Sequence, residues 1–166
     1  MLSADDVIAL LDLRPLAEEG GFYAETYRLF GAGAPTESPP GSRPLATAIY
    51  YLVTPDAFSA LHRLPTDELF HFYLGDPVEQ LQLRPDGTGR VVTLGVDLKA
   101  GQRPQAVVSG GVWQGSRLAA GGAHGFALLG TTMTPGFDVA TYEGGRRAAL
   151  MAAYPEYRDL IAALTR

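Results

Sequence analysis

Short runs of strand-forming residues alternate with turn-forming residues between Leu45 and Thr134, and this rhythm constrains the fold more than any other feature. Turns such as Pro85-Asp86-Gly87 recur roughly every 8 to 12 residues, the spacing typical of an all-β sandwich or barrel. An aromatic-rich run before this region is a further candidate strand. The predicted strands are Phe22–Phe30, Leu45–Val53, Phe58–Leu64, Leu69–Leu74, Val78–Leu83, Arg90–Leu94, Ala106–Ser109, Val112–Ala119 and Phe126–Thr134.

The two ends of the chain have a helical pattern. Ser3 can cap a short helix over Ser3–Leu13, because its hydroxyl can accept from a free backbone N–H of the first turn. Ala- and Leu-rich sequence over Arg146–Thr165 is interrupted by Pro155, which predicts two short helices with a break between them. Gly31–Pro44 is rich in Pro and Gly and is predicted to be a loop.

A length of 166 residues favours one domain with a sizeable core. We expect residues 1–20 to form the N-terminal helix and lead-in. Residues 21–143 should form a β-barrel, and residues 144–166 the C-terminal helices.

Composition argues against several classes of partner. The net charge is −5 and there is no basic block, so nucleic acid is not expected as a partner. The absence of cysteine excludes disulfides and thiolate metal sites. The N-terminus has no basic region followed by an apolar run, and no stretch approaches the ~18 to 20 apolar residues of a membrane span. These features predict a soluble cytoplasmic protein.

The stretch Phe58–Asp76 concentrates the groups that can carry chemistry. It holds two of the three histidines, with Glu68 six residues after His62 and three before His71. Apolar and aromatic residues surround these groups, and such settings shift pKa values and favour specific binding.

This stretch resembles the first motif of the cupins, a histidine pair followed by Glu and Gly. His62, Glu68 and Gly75 match the motif, whereas Leu64 replaces its second histidine. The run S-G-G-V-W-Q-G-S-R-L resembles the second motif, with Gln114 in place of its histidine.

Further segments in the same order, including G-G-F-Y-A-E-T-Y-R and L-G-V-D-L-K-A-G-Q-R-P-Q, are similar to the cupin-5, or DUF985-like, branch. The resemblance implies a cupin jelly-roll β-barrel, usually a homodimer, and brings no settled activity. The aromatic strand Phe22–Phe30 supports the homodimer, because such a strand can add to a partner's sheet edge.

The matched positions lead to two hypotheses about the chemistry. If a divalent metal is bound, His62, Glu68 and Gln114 would be its ligands, although two missing histidines weaken such a site. Without metal, the resemblance to cupin sugar epimerases implies His62 as a general base supported by Glu68. His71 is a third catalytic candidate, but strand alternation places it on the face opposite Glu68 unless a bulge intervenes.

The remaining candidates would bind a ligand. Alternation places Gln114 and Ser116 on one face of their strand, and one of the consecutive pair Tyr50 and Tyr51 should face inward; we assign Tyr50 to the site. Apolar walls are expected from Phe58, Phe70, Phe72 and Leu118.

The sequence therefore predicts a small-molecule-binding cupin, working as a metal-independent sugar epimerase or isomerase. The alternatives are a non-catalytic binding protein for a sugar or nucleotide and a metal-dependent cupin enzyme. No cofactor is expected, with a divalent metal as the open alternative. The expected partners are a small polar metabolite and a second copy of the chain.

Overall fold

A computed structural model describes residues 2–31 and 42–166. Its helices are α1 (Ala4–Leu10), α2 (Arg147–Ala153) and α3 (Arg158–Ala163). The strands are β1 (Arg14–Pro15), β2 (Phe22–Leu29), β3 (Ala46–Val53), β4 (Ser59–Arg63), β5 (Glu68–Gly75), β6 (Val78–Leu83), β7 (Gly89–Leu94), β8 (Gln105–Val108), β9 (Trp113–Leu118), β10 (Ala127–Met133) and β11 (Glu143–Gly144). The loop predicted over Gly31–Pro44 lies largely outside the described residues.

The strands form two antiparallel sheets. The first has the order β1-β2-β3-β10-β5-β8 and the second the order β11-β4-β9-β6-β7. Strands that are distant in sequence are neighbours in both sheets, as in β3-β10-β5 and β4-β9-β6. The two inner faces enclose the main core, and this arrangement confirms the all-β prediction.

Apolar side chains between the sheets form one continuous core. Every second residue of β3 and β5 contributes to it, because successive side chains of a strand point to opposite faces. Its buried members are Tyr51, Val53, Phe70, Val78, Leu94, Ala106, Val108, Val112, Ala127 and Leu129.

Two further clusters lie outside the sheets and attach the helices. Against the second sheet, Leu81 and Leu83 pack on Leu150 of α2 and Ile161 of α3. Against the first sheet, α1 buries Val7 with members of the cluster that includes Leu52, Phe126 and Leu128. Full burial of one such leucine stabilises the fold by roughly 1.5 to 3 kcal/mol.

The side of strand β6 that faces the other sheet carries two glutamines, and its leucines lie on the opposite side. Its leucines face the C-terminal helices, so Gln80 and Gln82 point between the sheets together with Val78. Gln82 Nε2 donates to Gln80 Oε1 at 2.8 Å, which satisfies part of their polarity. This part of the interior is polar, although the strand has an ordinary alternating sequence.

The ends of the chain follow the predicted pattern. Ser3 caps α1, with its Oγ accepting from the Asp6 N–H while the Asp6 carboxylate accepts from the Ser3 N–H, a reciprocal capping box. Pro155 separates α2 from α3 as expected. The two-residue strands β1 and β11 were not predicted, because so short a pairing carries no periodic signal.

Candidate functional site

A cavity of about 140 Å³ opens between the sheets at the end where β2, β3, β5 and β10 meet the lead-in segment. Its lining mixes apolar and charged side chains. The lining residues are Leu16, Glu19, Tyr23, Glu25, Arg28, Thr47, Ile49, Leu64, Glu68, Thr131, Met133 and Phe137. Such a mixture of apolar walls and a few polar groups is typical of a small-molecule site.

Glu68 begins β5 and contributes a buried carboxyl group to this wall, with 7 % of its surface exposed. Gln114 of β9 donates from Nε2 to Glu68 Oε2 at 2.7 Å, across from the other sheet. Burial raises the pKa of Glu68, and the nearby carboxylate of Glu19 raises it further, against the opposing effects of His62, Thr131 and Gln114. Glu68 is thus suited to hold a proton at a higher pH than an ordinary glutamate.

Glu19 reaches the cavity from the turn between β1 and β2, and it is not among the site residues predicted from the sequence. Gly20 and Gly21 both have positive φ, and a Cβ on Gly20 would overlap the carbonyl oxygen of Phe58. Glycine therefore allows this turn to lie directly on the start of β4. The adjacent pair Gly20-Gly21 was the only sequence signal that could have drawn attention to Glu19.

Several hydrogen bonds fix the Glu19 turn. The Tyr51 hydroxyl donates to the Gly20 carbonyl at 2.9 Å, and the Ala60 N–H donates to the Glu19 carbonyl at 2.9 Å. Ser59 Oγ donates to Glu19 Oε1 at 2.6 Å, which fixes the position of the Glu19 side chain. Burial raises the pKa of Tyr51 well above its ordinary value, and the negative charge of Glu19 adds to this effect.

His62 faces the interior because β4 contains an irregularity. Ser59 pairs with Ser116 and His62 with Gln114, so three steps along β4 match two along β9. This bulge turns Ser59 and His62 to the same side, which strict alternation would forbid.

The contacts of His62 lead to Glu19 instead of to the cavity. Its Nδ1 lies 2.8 Å from the Ala60 carbonyl oxygen, and its Nε2 lies 3.7 Å from Glu19 Oε2. Tyr142 stacks on the ring with a centroid separation of 5.2 Å. The two ring nitrogens thus face the Ala60 carbonyl and the Glu19 carboxylate, so His62 helps to position Glu19.

An ion pair lies at the cavity wall formed by β2. A second bulge, at Thr26, brings Glu25 and Arg28 to the same side of the strand. Arg28 donates from Nε and Nη2 to the two carboxylate oxygens of Glu25, at 2.8 and 2.6 Å. The arginine of the wall is therefore already engaged by a carboxylate of the same wall.

Two buried polar atoms have no partner among the described residues: Gln114 Oε1 and Ser116 Oγ. The first belongs to the amide that holds Glu68. An acceptor buried without a donor costs free energy, so a donor bound beside it would be stabilising.

Several predicted residues lie inside the barrel. Glu68 lines the cavity, while Phe70, Phe72 and Leu118 belong to the core between the sheets. Gln114 and Ser116 are buried on the inner face of β9.

Other predicted residues lie outside it, which corrects their assignment to the site. Tyr50 belongs to the outer face of the first sheet, near α1 and edge-on to Tyr73; its neighbour Tyr51 is the inward tyrosine. His71 also faces outward, between Thr132 Oγ1 at 3.1 Å and Gln105 Nε2 at 3.2 Å. Phe58 packs with the C-terminal helices instead of forming a cavity wall. Because successive side chains of a strand point to opposite faces, only one of Tyr50 and Tyr51 can face inward, and His71 lies on the face opposite Glu68.

Comparison with known proteins shows the family to which this architecture belongs. Residues 5–144 match the cupin-5 family, described as "Cupin superfamily (DUF985)". The chain belongs to this family. An uncharacterised protein of Saccharomyces cerevisiae, YML079W, is 31% identical to this cupin over 132 residues. That match covers 72% of this chain and 64% of the yeast protein, so the chain spans less than two thirds of that relative's length.

Solved structures agree with the assignment. A protein from Shewanella oneidensis is 36% identical, with a TM-score of 0.86 over 100% of this cupin and 99% of that chain. A hypothetical protein from Leishmania major is 31% identical, with a TM-score of 0.86 over 99% of each chain. Oxalate decarboxylase from Bacillus subtilis, at 14% identity and a TM-score of 0.54, covers 92% of this cupin and 37% of its own chain and shares the fold. The jelly-roll prediction is confirmed.

The predicted metal ligands of this cupin do not fit a metal site as they are arranged. Gln114 directs its Nε2, a donor, at Glu68, and His62 directs its Nε2 at Glu19. Within residues 2–31 and 42–166, no group of three or more His, Asp or Glu side chains is placed to hold a metal ion.

Among the described residues, no helix is long and apolar enough to cross a membrane.

Proposed function

We propose that this cupin binds a small polar metabolite in the barrel cavity and transfers protons on it, as a metal-independent isomerase or epimerase. One observation carries the proposal: two carboxyl groups of contrasting surroundings, Glu68 and Glu19, line the same cavity. Burial and the neighbouring charge raise the pKa of Glu68, whereas Glu19 accepts a hydrogen bond from the Ser59 hydroxyl and lies 3.7 Å from His62 Nε2. Pairs of titratable groups with opposed environments are typical acid–base partners.

The roles follow from these surroundings. For an α-hydroxy carbonyl ligand, Glu19 accepts the proton from the carbon beside the carbonyl, and the protonated carboxyl of Glu68 donates to the carbonyl oxygen. The resulting enediol returns a hydroxyl proton to Glu68, and Glu19 returns its proton to the neighbouring carbon. The proton count closes and both residues are restored. His62 acts here as a positioning residue for Glu19, which differs from the predicted role of His62 as the base.

The size of the cavity restricts the ligand. A cavity of about 140 Å³ is close to the 150 Å³ that accommodates benzene. A compound of roughly six to ten non-hydrogen atoms fits, the size of a small sugar, and this favours a sugar over a nucleotide.

Non-catalytic binding is the second candidate function. The observation that favours it is the set of hydroxyl groups in the lining, those of Tyr23, Thr47 and Thr131, beside the carboxyl groups. These groups can hold the hydroxyls of a ligand with no proton transfer to carbon.

Exchange of carbon-bound hydrogen tests the proposal. The protein is incubated in D₂O with trioses, tetroses and pentoses, and deuterium on the carbon beside the carbonyl is followed by NMR. We expect incorporation that falls about 100-fold or more in Glu68→Gln and Glu19→Gln, a typical loss for an acid–base group. Glu79→Gln is the matched control, because Glu79 pairs with Arg117 away from the cavity.

Three results are decisive. Incorporation lost in both site variants and kept in Glu79→Gln supports the enzyme. Thermal stabilisation by a sugar without exchange leaves the binding function and removes the catalytic one. If no compound stabilises the wild type or exchanges its hydrogen, the proposed site is wrong.

A further inference from the structure

The charged groups that line the cavity are unequal in number. Three carboxyl groups, those of Glu19, Glu25 and Glu68, face one cation among the described lining residues, Arg28. Arg28 is held by Glu25 through two hydrogen bonds, so this pair contributes little net charge. The carboxylate of Glu19 and the carboxyl group of Glu68 remain on the wall, and the His62 Nε2 lies 3.7 Å from Glu19 Oε2.

The hydrogen-bonding groups show the same imbalance. Arg28, the charged donor of the described lining, is engaged by Glu25, and behind the wall Gln114 Nε2 and the Ser59 hydroxyl are engaged by Glu68 and Glu19. The remaining lining donors are hydroxyl groups, whereas three carboxyl groups offer acceptors. An anionic ligand would therefore meet more acceptors than donors, and a carboxylate or phosphate would add charge of the same sign as Glu19.

We propose that the ligand of this cavity carries a positive charge, as a small hydroxylated primary amine of the amino-sugar or amino-polyol class. This inference rests on the proposed function, because it concerns the same site. An ammonium group offers three donors and no acceptor, which complements the carboxyl oxygens of Glu19, Glu25 and Glu68 in the lining. The hydroxyls of Thr47 and Tyr23 lie in the same lining and suit the ligand's hydroxyl groups.

The aromatic lining agrees with a cationic ligand. Tyr23 and Phe137 are both part of the cavity wall. Aromatic faces attract ammonium groups, and the attraction is larger where water is excluded.

Matched sets of three compounds that differ in charge test the inference. The small set is 2-amino-1,3-propanediol, glycerol and glycerate, and the larger set is 1-amino-1-deoxyerythritol, erythritol and erythronate. Affinities are measured by titration calorimetry at low ionic strength, where charge effects are least screened. We expect the ammonium member of at least one set to bind about 10-fold or more tightly than the neutral member, and the anionic member not to bind.

Two variants shift the expected preference in different directions. Glu19→Gln removes a negative charge from the wall and should abolish most of the preference for the amine. Glu25→Gln leaves Arg28 without its carboxylate partner, so the anionic member should gain affinity. Glu79→Gln changes the same residue type at an ion pair outside the cavity and should keep the wild-type order.

The outcomes separate this inference from the proposed function. If the neutral member binds as tightly as the amine, and Glu68→Gln abolishes binding of both, the charge inference is overturned while the site stands. If the anionic member binds best to the wild type, the charge inference is wrong and Arg28 is the anchor. If no member of either set binds and the sugars of the exchange experiment also fail, both proposals are overturned. Binding that Glu68→Gln and Glu19→Gln leave unchanged likewise places the ligand outside this cavity.

Discussion

Gln114 Nε2 donates a 2.7 Å hydrogen bond to Glu68 Oε2 and thereby joins the two sheets through buried polar side chains. Gln114 occupies the position of a histidine in the cupin motif that the sequence resembles. In this protein the side chain holds a carboxyl group by hydrogen bonding, and Glu68 in turn faces the cavity.

The surroundings of Glu68 predict a specific pH dependence of stability. Burial and Glu19 raise its pKa in the folded state above the ordinary value of 4.5, so the folded protein holds this proton to higher pH than the unfolded chain. The stability linked to this proton is fully present below pH 4.5 and is lost as the pH rises through the folded pKa. The loss amounts to about 1.4 kcal/mol for each pH unit that separates the folded from the unfolded pKa. Glu68→Gln cannot ionise and should become more stable relative to wild type as the pH increases.

Urea unfolding across the range from acid to neutral pH checks this. Glu79→Gln, in a half-buried ion pair with Arg117 away from the cavity, should show no such trend. A stability difference between wild type and Glu68→Gln that does not vary with pH would contradict the assigned surroundings.

Tyr50 and Tyr51 offer a matched pair of substitutions. Tyr51→Phe removes the hydroxyl that donates to the Gly20 carbonyl at 2.9 Å and should cost about 1 kcal/mol of unfolding free energy. It should also weaken ligand binding, because that bond holds the turn carrying Glu19. Tyr50→Phe, on the outer face, should change neither quantity. Equal effects of both substitutions on affinity would show that Tyr51 does not position the turn.

The outward position of His71 predicts that it is dispensable for the site. Its ring nitrogens contact Thr132 and Gln105 on the outer face of the first sheet. His71→Ala should leave ligand affinity and hydrogen exchange within about twofold of wild type and stability within roughly 0.5 kcal/mol. His62→Ala should reduce both ligand affinity and hydrogen exchange, since Glu19 loses its histidine partner. A strong loss in His71→Ala alone would reverse this assignment.

Asp76 is expected to stabilise the turn before β10. Its carboxylate accepts from the N–H groups of Ala123, His124 and Gly125 at 2.7 to 3.1 Å. Burial opposes ionisation, but these bonds outweigh it and lower the pKa of Asp76 below 3.8. The stability that Asp76 contributes is therefore present above pH 3.8 and is lost as the pH falls through the lower folded value.

Asp76→Asn should cost about 1 to 3 kcal/mol of unfolding free energy at neutral pH, and the difference from wild type should shrink in acid. Asp56→Asn, at an exposed turn, should have little effect. Thermal unfolding monitored at neutral and acidic pH distinguishes these cases. A cost that stays the same in acid would mean that the carboxylate charge is not what stabilises the turn.

The homodimer remains a prediction, and β2 supplies its most suitable edge. Strand β1 pairs with only Phe22 and Tyr23, so the outer side of the rest of β2 has no strand partner among the described residues. Tyr27 and Leu29 there are 51% and 39% exposed. Light scattering of the wild type should give the mass of two chains, and Tyr27→Lys with Leu29→Lys should give one. A monomeric wild type at micromolar concentration would reject the prediction.

Elements whose signals are local could be predicted from the sequence. The predicted strand ends lie close to the observed ones, because Pro, Gly and Asp at the turns favour backbone conformations that strands cannot continue. The Ser3 cap and the break at Pro155 follow from the same kind of local chemistry. Alternation alone also placed Glu68, Phe70 and Phe72 on one face of β5 and His71 on the other.

The groups that meet at the site are brought together by tertiary packing, which the sequence did not reveal. The bulge in β4 turns His62 inward beside Ser59, and the bulge in β2 pairs Glu25 with Arg28. The extra residue of a bulge changes which side chains face inward, but the alternating pattern of the sequence does not show where a bulge occurs. Glu19 lies in a turn 40 residues before Ser59, whose hydroxyl donates a hydrogen bond to the Glu19 carboxylate. Such contacts depend on the register and packing of distant strands, and these are properties of the whole chain that no local run of residues encodes.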